Sequence, residues 1–353
     1  MFDAAFVPKP LRIALIGAGQ IANSSHLPAW TKLESARVIW VVDARKEQAS
    51  TTAARWNIPQ FASDYRSLLD REDIDAVDIC LPANLHSQVS VDFLRCGKHV
   101  LVEKPVATTL ADAWAIQRAA EETGCIAMVA ENWPFASAAR RVLELVRAGE
   151  LGELFMLSAF HVSGLSLAAQ AQPDLASDLR FLGYLFAAGI HTINLTRVLM
   201  GDFVSLCAYA TPTKPGLAGP VEDDLVLAAR FAQGGIGSLH MTGRSRHFRS
   251  HDVAERRLGF QVFGTKGVAS FDVLSGNVVW TNAKGIQTEV RDPHPSLGYL
   301  EEIEHFTDCI HRREEPLTSI SDQTVTLATV LAAYRSLENS APVSPNSLLA
   351  GSV

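Results

Sequence analysis

The sequence predicts an α/β chain whose first part is a doubly wound parallel sheet and whose second part is a largely antiparallel sheet with helices. Three observations predict it. Over the first third, short β-branched and aliphatic runs alternate with segments of helical period, as parallel strands do when crossover helices join them. A glycine turn, Gly17-Ala-Gly19-Gln20-Ile21-Ala22, stands where the first run gives way to a helix. Beyond about residue 150 the runs crowd together with turn residues between them, the pattern of hairpins.

The first-part runs are Arg12 to Ile16, Val38 to Val42, Val77 to Leu81, Val100 to Val102 and Ile126 to Val129. Between them Leu85, Val89, Phe93 and Cys96 fall at helical spacing, and Thr109 is placed to cap a helix carrying Ala113, Ile116 and Ala120. The second-part runs are Leu154 to His161, Val204 to Ala210, Leu225 to Phe231, Ile236 to Met241, Leu258 to Phe263 and Val268 to Val273. Helices are predicted at about Gly183 to Met200, Leu300 to Arg312 and Ser321 to Leu337, and a loose tail after Pro342.

A chain of 353 residues, 48% hydrophobic and 20% charged, has room for two domains. The net charge of −7 argues against general binding to nucleic acid or anionic membranes. The five cysteines form no C-x-x-C pair, which predicts reduced, mostly buried thiols. No signal-peptide pattern and no unbroken apolar run of about 18 residues is present, so the expectation is a cytoplasmic protein.

Gly17 permits a tight turn, Gly19 lets backbone approach a pyrophosphate, and the amides of Gln20 and Ile21 at the helix mouth face its phosphates. Asp43 ends the next run, 26 residues after Gly17, where a carboxylate accepts hydrogen bonds from an adenosine ribose. That favours NAD. Arg45 is the counter-signal for NADP, since a guanidinium pairs with a 2′-phosphate. Pro82, Asn84 and His86 follow the next strand at the edge where ligands of such sheets gather, and Asn84 is also read as a helix cap.

The run His99-Val-Leu-Val-Glu103-Lys104-Pro105 ends at the same edge. A lone lysine is ordinarily a solvated surface charge. Beside a nicotinamide, however, hydride transfer needs a group to move the proton of the substrate oxygen, and Lys104 stands where that group is needed. Metal binding is not expected: His247 and His251 are four apart, but Arg244, Arg246 and Arg249 crowd them.

Taken in order, GAGQIA, VVDAR, LPANLHSQVSVDFLRCGKHVLVEKPVATT, GIHTIN and EIEHFTDCI resemble the motifs of the Gfo/Idh/MocA family, the glucose-fructose oxidoreductases, inositol dehydrogenases and their relatives. The resemblance covers nearly the whole chain. It implies a Rossmann domain over 1–130 and a substrate-binding and oligomerisation α+β domain with a large open sheet over 131–353. It also implies NAD(P)-dependent oxidation or reduction of a sugar, cyclitol or similar polyol by a homodimer or homotetramer. Glu103 and Lys104 would lie at the cofactor, Lys104 would also touch the substrate hydroxyl, and the Lys104–Pro105 bond would often be cis.

The family pattern further places an aspartate four residues before a histidine on one helix. His191 matches the histidine, but Ala187 stands where the aspartate belongs. Three readings follow: a working dehydrogenase that relies on Lys104 with His191 assisting, one that draws another acid from the loops, or a binding protein without turnover. A transient use of NAD for glycoside cleavage or epimerisation is a further alternative. The remaining substrate-side candidates are Trp133, Asn194, and His161 and Arg180, which flank the loop Val162 to Leu179. Two of them have a bland counterpart, domain-interface packing for Trp133 and a solvent-facing helix residue for Asn194.

Overall fold

The computed structural model describes residues 9–163, 183–212, 222–243, 257–292 and 297–350. It divides into two compact units. One takes the residues up to Glu131 together with Tyr299–Thr324, and the other takes Asn132–Gly298 and the chain from Val325.

The first unit is built on a six-stranded parallel sheet of β1 (Leu11–Ile16), β2 (Ala36–Val42), β3 (Gln60–Ala62), β4 (Ala76–Ile79), β5 (His99–Glu103) and β6 (Ala127–Ala130), ordered β3-β2-β1-β4-β5-β6. The central strands are covered on both faces, so they read as continuous apolar runs. The strand missing from the sequence reading is β3, a three-residue edge strand in which Phe61 is exposed and no apolar run exists to be read. Thr109 caps the helix Leu110–Thr123, its hydroxyl accepting from the Asp112 amide at 3.1 Å, and Gly124 ends that helix at φ +65°.

The sequence reading gave everything beyond residue 130 to the second domain, whereas the helix Tyr299–Arg312 belongs with the first unit. It packs against Leu27–Trp30 through its buried face of Ile303, Phe306 and Thr307. The chain after it then covers the open edge of β6: Met128 bridges Ser319, the Val129 amide donates to the Thr318 carbonyl at 2.9 Å, and the Thr318 hydroxyl donates to the Val129 carbonyl at 2.7 Å. An edge strand with unsatisfied backbone groups takes its partner from wherever the chain supplies one.

The second unit carries an eight-stranded sheet: β7 (Leu154–Val162), β8 (Phe203–Pro212), β9 (Glu222–Phe231), β10 (Ile236–Thr242), β11 (Arg257–Gly264), β12 (Val268–Asp272), β13 (Asn277–Asn282) and β14 (Gly285–Val290), ordered β14-β13-β12-β11-β7-β10-β9-β8. All neighbours are antiparallel except β7 and β10. Strands β13 and β14 are additions to the sequence reading. Ile286 and Val290 are exposed on β14, so that strand lacks the alternation that would betray it. The tail after Pro342 is not loose: Val343 exchanges backbone hydrogen bonds with Leu206 at 2.8 and 2.9 Å, and Pro345–Ala350 is helical. Among the described residues no helix is long and apolar enough to cross a membrane.

Candidate active site

β1, β4 and β5 are neighbours and parallel, so their carboxyl ends, leading into Gly17, Pro82 and Lys104, emerge along one edge of the first unit. The strand order reverses at β1, where open sheets of this kind form a ligand crevice. Gly17 has φ +100°, and a Cβ there would collide with the Cys80 carbonyl, so only glycine fits the turn. A Cβ on Gly19 would meet nothing within 4 Å, leaving the backbone accessible from outside. Ala22 is fully buried in the cluster of Leu15, Ala18, Val41 and Ala53, where a small residue lets helix meet strand. The chain then runs through a π-turn, Ala22–His26, into the α-turn Leu27–Trp30.

Asp43 is clamped. Its carboxylate accepts from the Ala18 amide at 3.1 Å, the Arg45 amide at 2.9 Å and the Arg45 guanidinium at 3.1 and 3.3 Å. Burial alone would raise its pKa, but these bonds outweigh burial and hold it below the ordinary carboxylate range. Beside it lies a depression of about 470 Å³ whose lining includes Gly19, Gln20, Asn23, Arg45, Gln48 and Arg55. An open glycine backbone, a helix mouth and a fixed carboxylate together fit a dinucleotide.

Asn84 is exposed at the second helical position of Ala83–Arg95 and caps nothing, because Pro82 occupies the cap position. His86 is buried, with Nδ1 at 2.8 Å from the Pro105 carbonyl and Nε2 at 2.8 Å from the Leu81 carbonyl. Its ring is committed to backbone and has no edge left for a ligand. Burial outweighs the pull of the two carbonyls and lowers its pKa below the ordinary imidazole value, so the neutral ring has one N–H to donate.

Glu103 likewise turns inward. One oxygen lies 3.0 Å from His26 Nε2 and the other accepts the Lys104 amide at 2.9 Å, so its carboxylate is engaged behind Lys104. Lys104 is half-buried, and the Lys104–Pro105 bond is cis, as the resemblance implied. His26 Nδ1 lies 2.9 Å from Asp78, which also accepts the Trp30 indole N–H at 2.7 Å. Burial disfavours a charged His26, yet Asp78 reverses this and holds its pKa well above the ordinary imidazole range. With a carboxylate at each nitrogen, both nitrogens donate. His26, Asp78 and Cys80 are also the set of described ligand-type residues whose donor atoms all lie within 4.8 Å of one another. Both His26 nitrogens already serve carboxylates, so the set is a hydrogen-bond network as it stands.

In the second unit Trp133 is buried and gathers the imidazoles: His191 stacks on it at 5.1 Å and 13°, and His161 tilts against it at 5.1 Å. His161 Nδ1 lies 3.1 Å from the Thr192 hydroxyl, and its ring meets the edge of Tyr184, whose hydroxyl is 2.8 Å from that of Ser163. His191 is half-buried at the start of the helix Ile190–Met200, directly after the π-turn Leu185–Gly189 that contains Ala187. π-Turns inside helices recur at functional positions.

Asn194 does not face solvent, and its buried Oδ1 has no hydrogen-bond partner. It is fully buried and donates to the Thr326 hydroxyl at 3.2 Å, beside Arg197, which donates to the same hydroxyl at 2.7 Å. Arg180 lies outside the described residues, as do His247 and His251. The cysteines are free but less buried than expected: Cys80 and Cys309 are buried, Cys125 and Cys207 intermediate, Cys96 exposed.

Sequence reasoning missed His26, Asp78 and Glu222. The signal for Asp78 was available, a lone charge inside the buried strand Ala76-Val-Asp-Ile79, since such a charge needs a partner. Glu222 is buried at the start of β9. Its Oε1 accepts from the Leu185 amide at 2.9 Å and the Tyr334 hydroxyl at 2.8 Å, Oε2 has no partner, and burial pushes its pKa up to about 7.

The family model described as "Oxidoreductase family, NAD-binding Rossmann fold" matches residues 11–131, and that of the "GFO/IDH/MocA C-terminal domain" matches 139–270. D-Apiose dehydrogenase of Paraburkholderia graminis is 28% identical over 96% of this chain and 91% of its own length. Levoglucosan dehydrogenase of Pseudarthrobacter phenanthrenivorans is 27% identical over 74% of this chain and 73% of its own. Among solved structures, levoglucosan dehydrogenase in complex with NADH superposes with a TM-score of 0.83 at 23% identity, covering 95% of this chain and 99% of its own, a likeness of fold. Motifs, sheet order and matches agree: the chain belongs to the Gfo/Idh/MocA family of oxidoreductases and is an NAD(P)-dependent dehydrogenase or reductase acting on CH–OH groups.

Proposed function

We propose that the chain oxidises or reduces a carbinol or ketone carbon of a sugar, cyclitol or related polyol, with Lys104 transferring the hydroxyl proton and His191 assisting at the substrate oxygen. The observation that carries the reading is the shared edge of β1, β4 and β5. It puts the only-glycine turn at Gly17 and the half-buried Lys104 at the carboxyl ends of one run of strands. When bound, the nicotinamide supplies or takes the hydride. The chain's own part is to hold the dinucleotide at Gly17, Gly19 and Asp43 and to move one proton at Lys104 Nζ. Trp133 offers an apolar wall to a sugar ring, and Arg180 is a further substrate contact.

Relatives named for levoglucosan, D-apiose and scyllo-inositol support the polyol class. Phe160, Val226 and Tyr209 are exposed in one cross-strand row on a single face of the eight-stranded sheet, which supports a homodimer or homotetramer. Five free thiols support the cytoplasmic reading.

The test is a panel of levoglucosan, D-apiose, scyllo-inositol and myo-inositol with NAD and with NADP, read by absorbance of the reduced nicotinamide. Lys104→Ala should lower kcat on the accepted substrate by about 10²- to 10⁴-fold, and an unchanged kcat would remove Lys104 from the reaction. Ala187 favours a second reading, binding without turnover. It would be upheld by a panel on which the natural chain is silent and the Ala187→Asp variant is active.

A further inference from the structure

The motif Glu103-Lys104-Pro105 is gripped on both sides by buried imidazoles. Upstream, His26 stands between Asp78 at 2.9 Å and Glu103 at 3.0 Å, and the other oxygen of Glu103 takes the Lys104 amide at 2.9 Å. Downstream, the His86 ring is wedged between the Pro105 carbonyl, 2.8 Å from Nδ1, and the Leu81 carbonyl, 2.8 Å from Nε2, and the single N–H of a neutral imidazole donates to one of the two. His26 and His86 are both essentially without solvent exposure. Each lies on a different helix from the other, so Lys104 is tied to the π-turn Ala22–His26 and to the helix Ala83–Arg95 at once.

We propose that His26 and His86 are positioning residues that clamp the Glu103–Pro105 backbone and thereby fix where the Lys104 ammonium stands. The proposal rests on the reading of Lys104 as the proton-transfer group. A buried triad of Asp78, His26 and Glu103 is poor evidence of a stabilising device. Removing two carboxylates and an imidazolium from water costs several kcal/mol, and well-packed apolar residues do as well or better in such places. What apolar residues could not do is accept the Lys104 amide while being held from behind.

The cluster is closed by groups from the returning C-terminal segment. The Tyr299 ring lies 5.8 Å from His26, and Glu302 is fully buried on the same helix, within electrostatic range of His26 and Glu103. Burial pushes the pKa of the Glu302 carboxyl well above its ordinary value, which disfavours a further negative charge there. The motif EIEHFTDCI thereby has a place in the first unit, as the lid over the upstream half of the clamp. A reacting group loses about a hundredfold in rate when displaced by about 1 Å, which is the scale on which a loosened clamp acts.

The experiment uses the full chain with four variants, His26→Ala, His26→Gln, His86→Ala and His86→Gln, each checked for its thermal midpoint. Two measurements are made on each. One is kcat and KM on the panel substrate that the natural chain turns over. The other is acetic anhydride labelling of Lys104 at one pH, quantified by mass spectrometry against the exposed Lys284 as internal standard.

The clamp predicts that the alanine variants lose about 10- to 100-fold in kcat with KM within about threefold, and that Lys104 is acylated about threefold faster or more. The glutamine variants keep one amide donor and should recover part of both. Unchanged Lys104 labelling and unchanged kcat in folded His26→Ala and His86→Ala would overturn the clamp even if Lys104→Ala is inactive. Altered labelling in those variants with a fully active Lys104→Ala would uphold the clamp and overturn the catalytic reading of Lys104. A variant that fails to fold is replaced by its glutamine counterpart, on which the same two readouts decide.

Discussion

Around Lys104 in the first unit, the fixing contacts are hydrogen bonds of 2.8–3.0 Å to strand ends and buried charges, while His161 and His191 in the second unit are set against the indole of Trp133 at 5.1 Å. Hydrogen bonds to backbone define direction as well as distance. Ring contacts fix the plane of an imidazole more than its rotation within that plane. The difference suits the two proposed tasks: under that reading a proton-transfer group is held at one spot, whereas a residue that assists a substrate oxygen tolerates adjustment.

The sharpest way to break the first region is Gly17→Ala. Its φ of +100° and the Cys80 carbonyl facing the missing Cβ leave an alanine no room without moving the end of β4. NADH affinity, followed by quenching of protein fluorescence, should fall by about 100-fold or more, equivalent to about 3 kcal/mol. Gly19→Ala is the sharpening control. No neighbour within 4 Å meets its Cβ, so the chain should fold normally and lose affinity only through the closer approach that a bound dinucleotide demands.

Those two glycines were legible in the sequence because a turn between strand and helix leaves a local mark, and so was Lys104, a charge at the end of an apolar run. His26 was not legible, since its meaning depends on residues 52 and 77 positions downstream that only the sheet order brings to it. The buried partners of Glu103 and His86 were illegible for the same reason: which way a residue next to a crevice turns depends on contacts that periodicity does not encode. The helix Tyr299–Arg312 shows the limit at the level of the fold. Its amphipathic pattern was clear, but an apolar stripe does not say which sheet it will cover.

In the second unit the larger effect is expected at Glu222. Its folded pKa of about 7 stands above the ordinary 4.5, so the folded chain keeps a proton that the unfolded chain releases. The associated stability is therefore complete below about pH 4.5 and declines as pH rises, until it is gone above about pH 7. The loss amounts to at most about 3 kcal/mol. Glu222→Gln retains a neutral side chain whose oxygen still accepts from Leu185 and Tyr334. Urea unfolding between pH 5 and pH 8 should show wild-type stability falling and the variant's staying level (about 1.4 kcal/mol per unit of pKa shift). Parallel curves for the two proteins would place the Glu222 charge outside the stability of this unit.

The smallest expected effect tests the ring contacts themselves. Trp133→Leu keeps an apolar side chain between His161 and His191 but removes the π face on which His191 lies 13° from parallel. Aromatic contacts of this kind contribute about 0.5–1.5 kcal/mol beyond area burial, so the imidazole should lose orientation and not its place. In NMR, the carbon-bound ring protons of His191 should move downfield as the indole ring current disappears, and KM for the accepted polyol should rise by about 2- to 10-fold with the fold intact. Should the His191 resonances stay where they are, the stacking would carry no weight, and the two regions would hold their side chains by the same means after all.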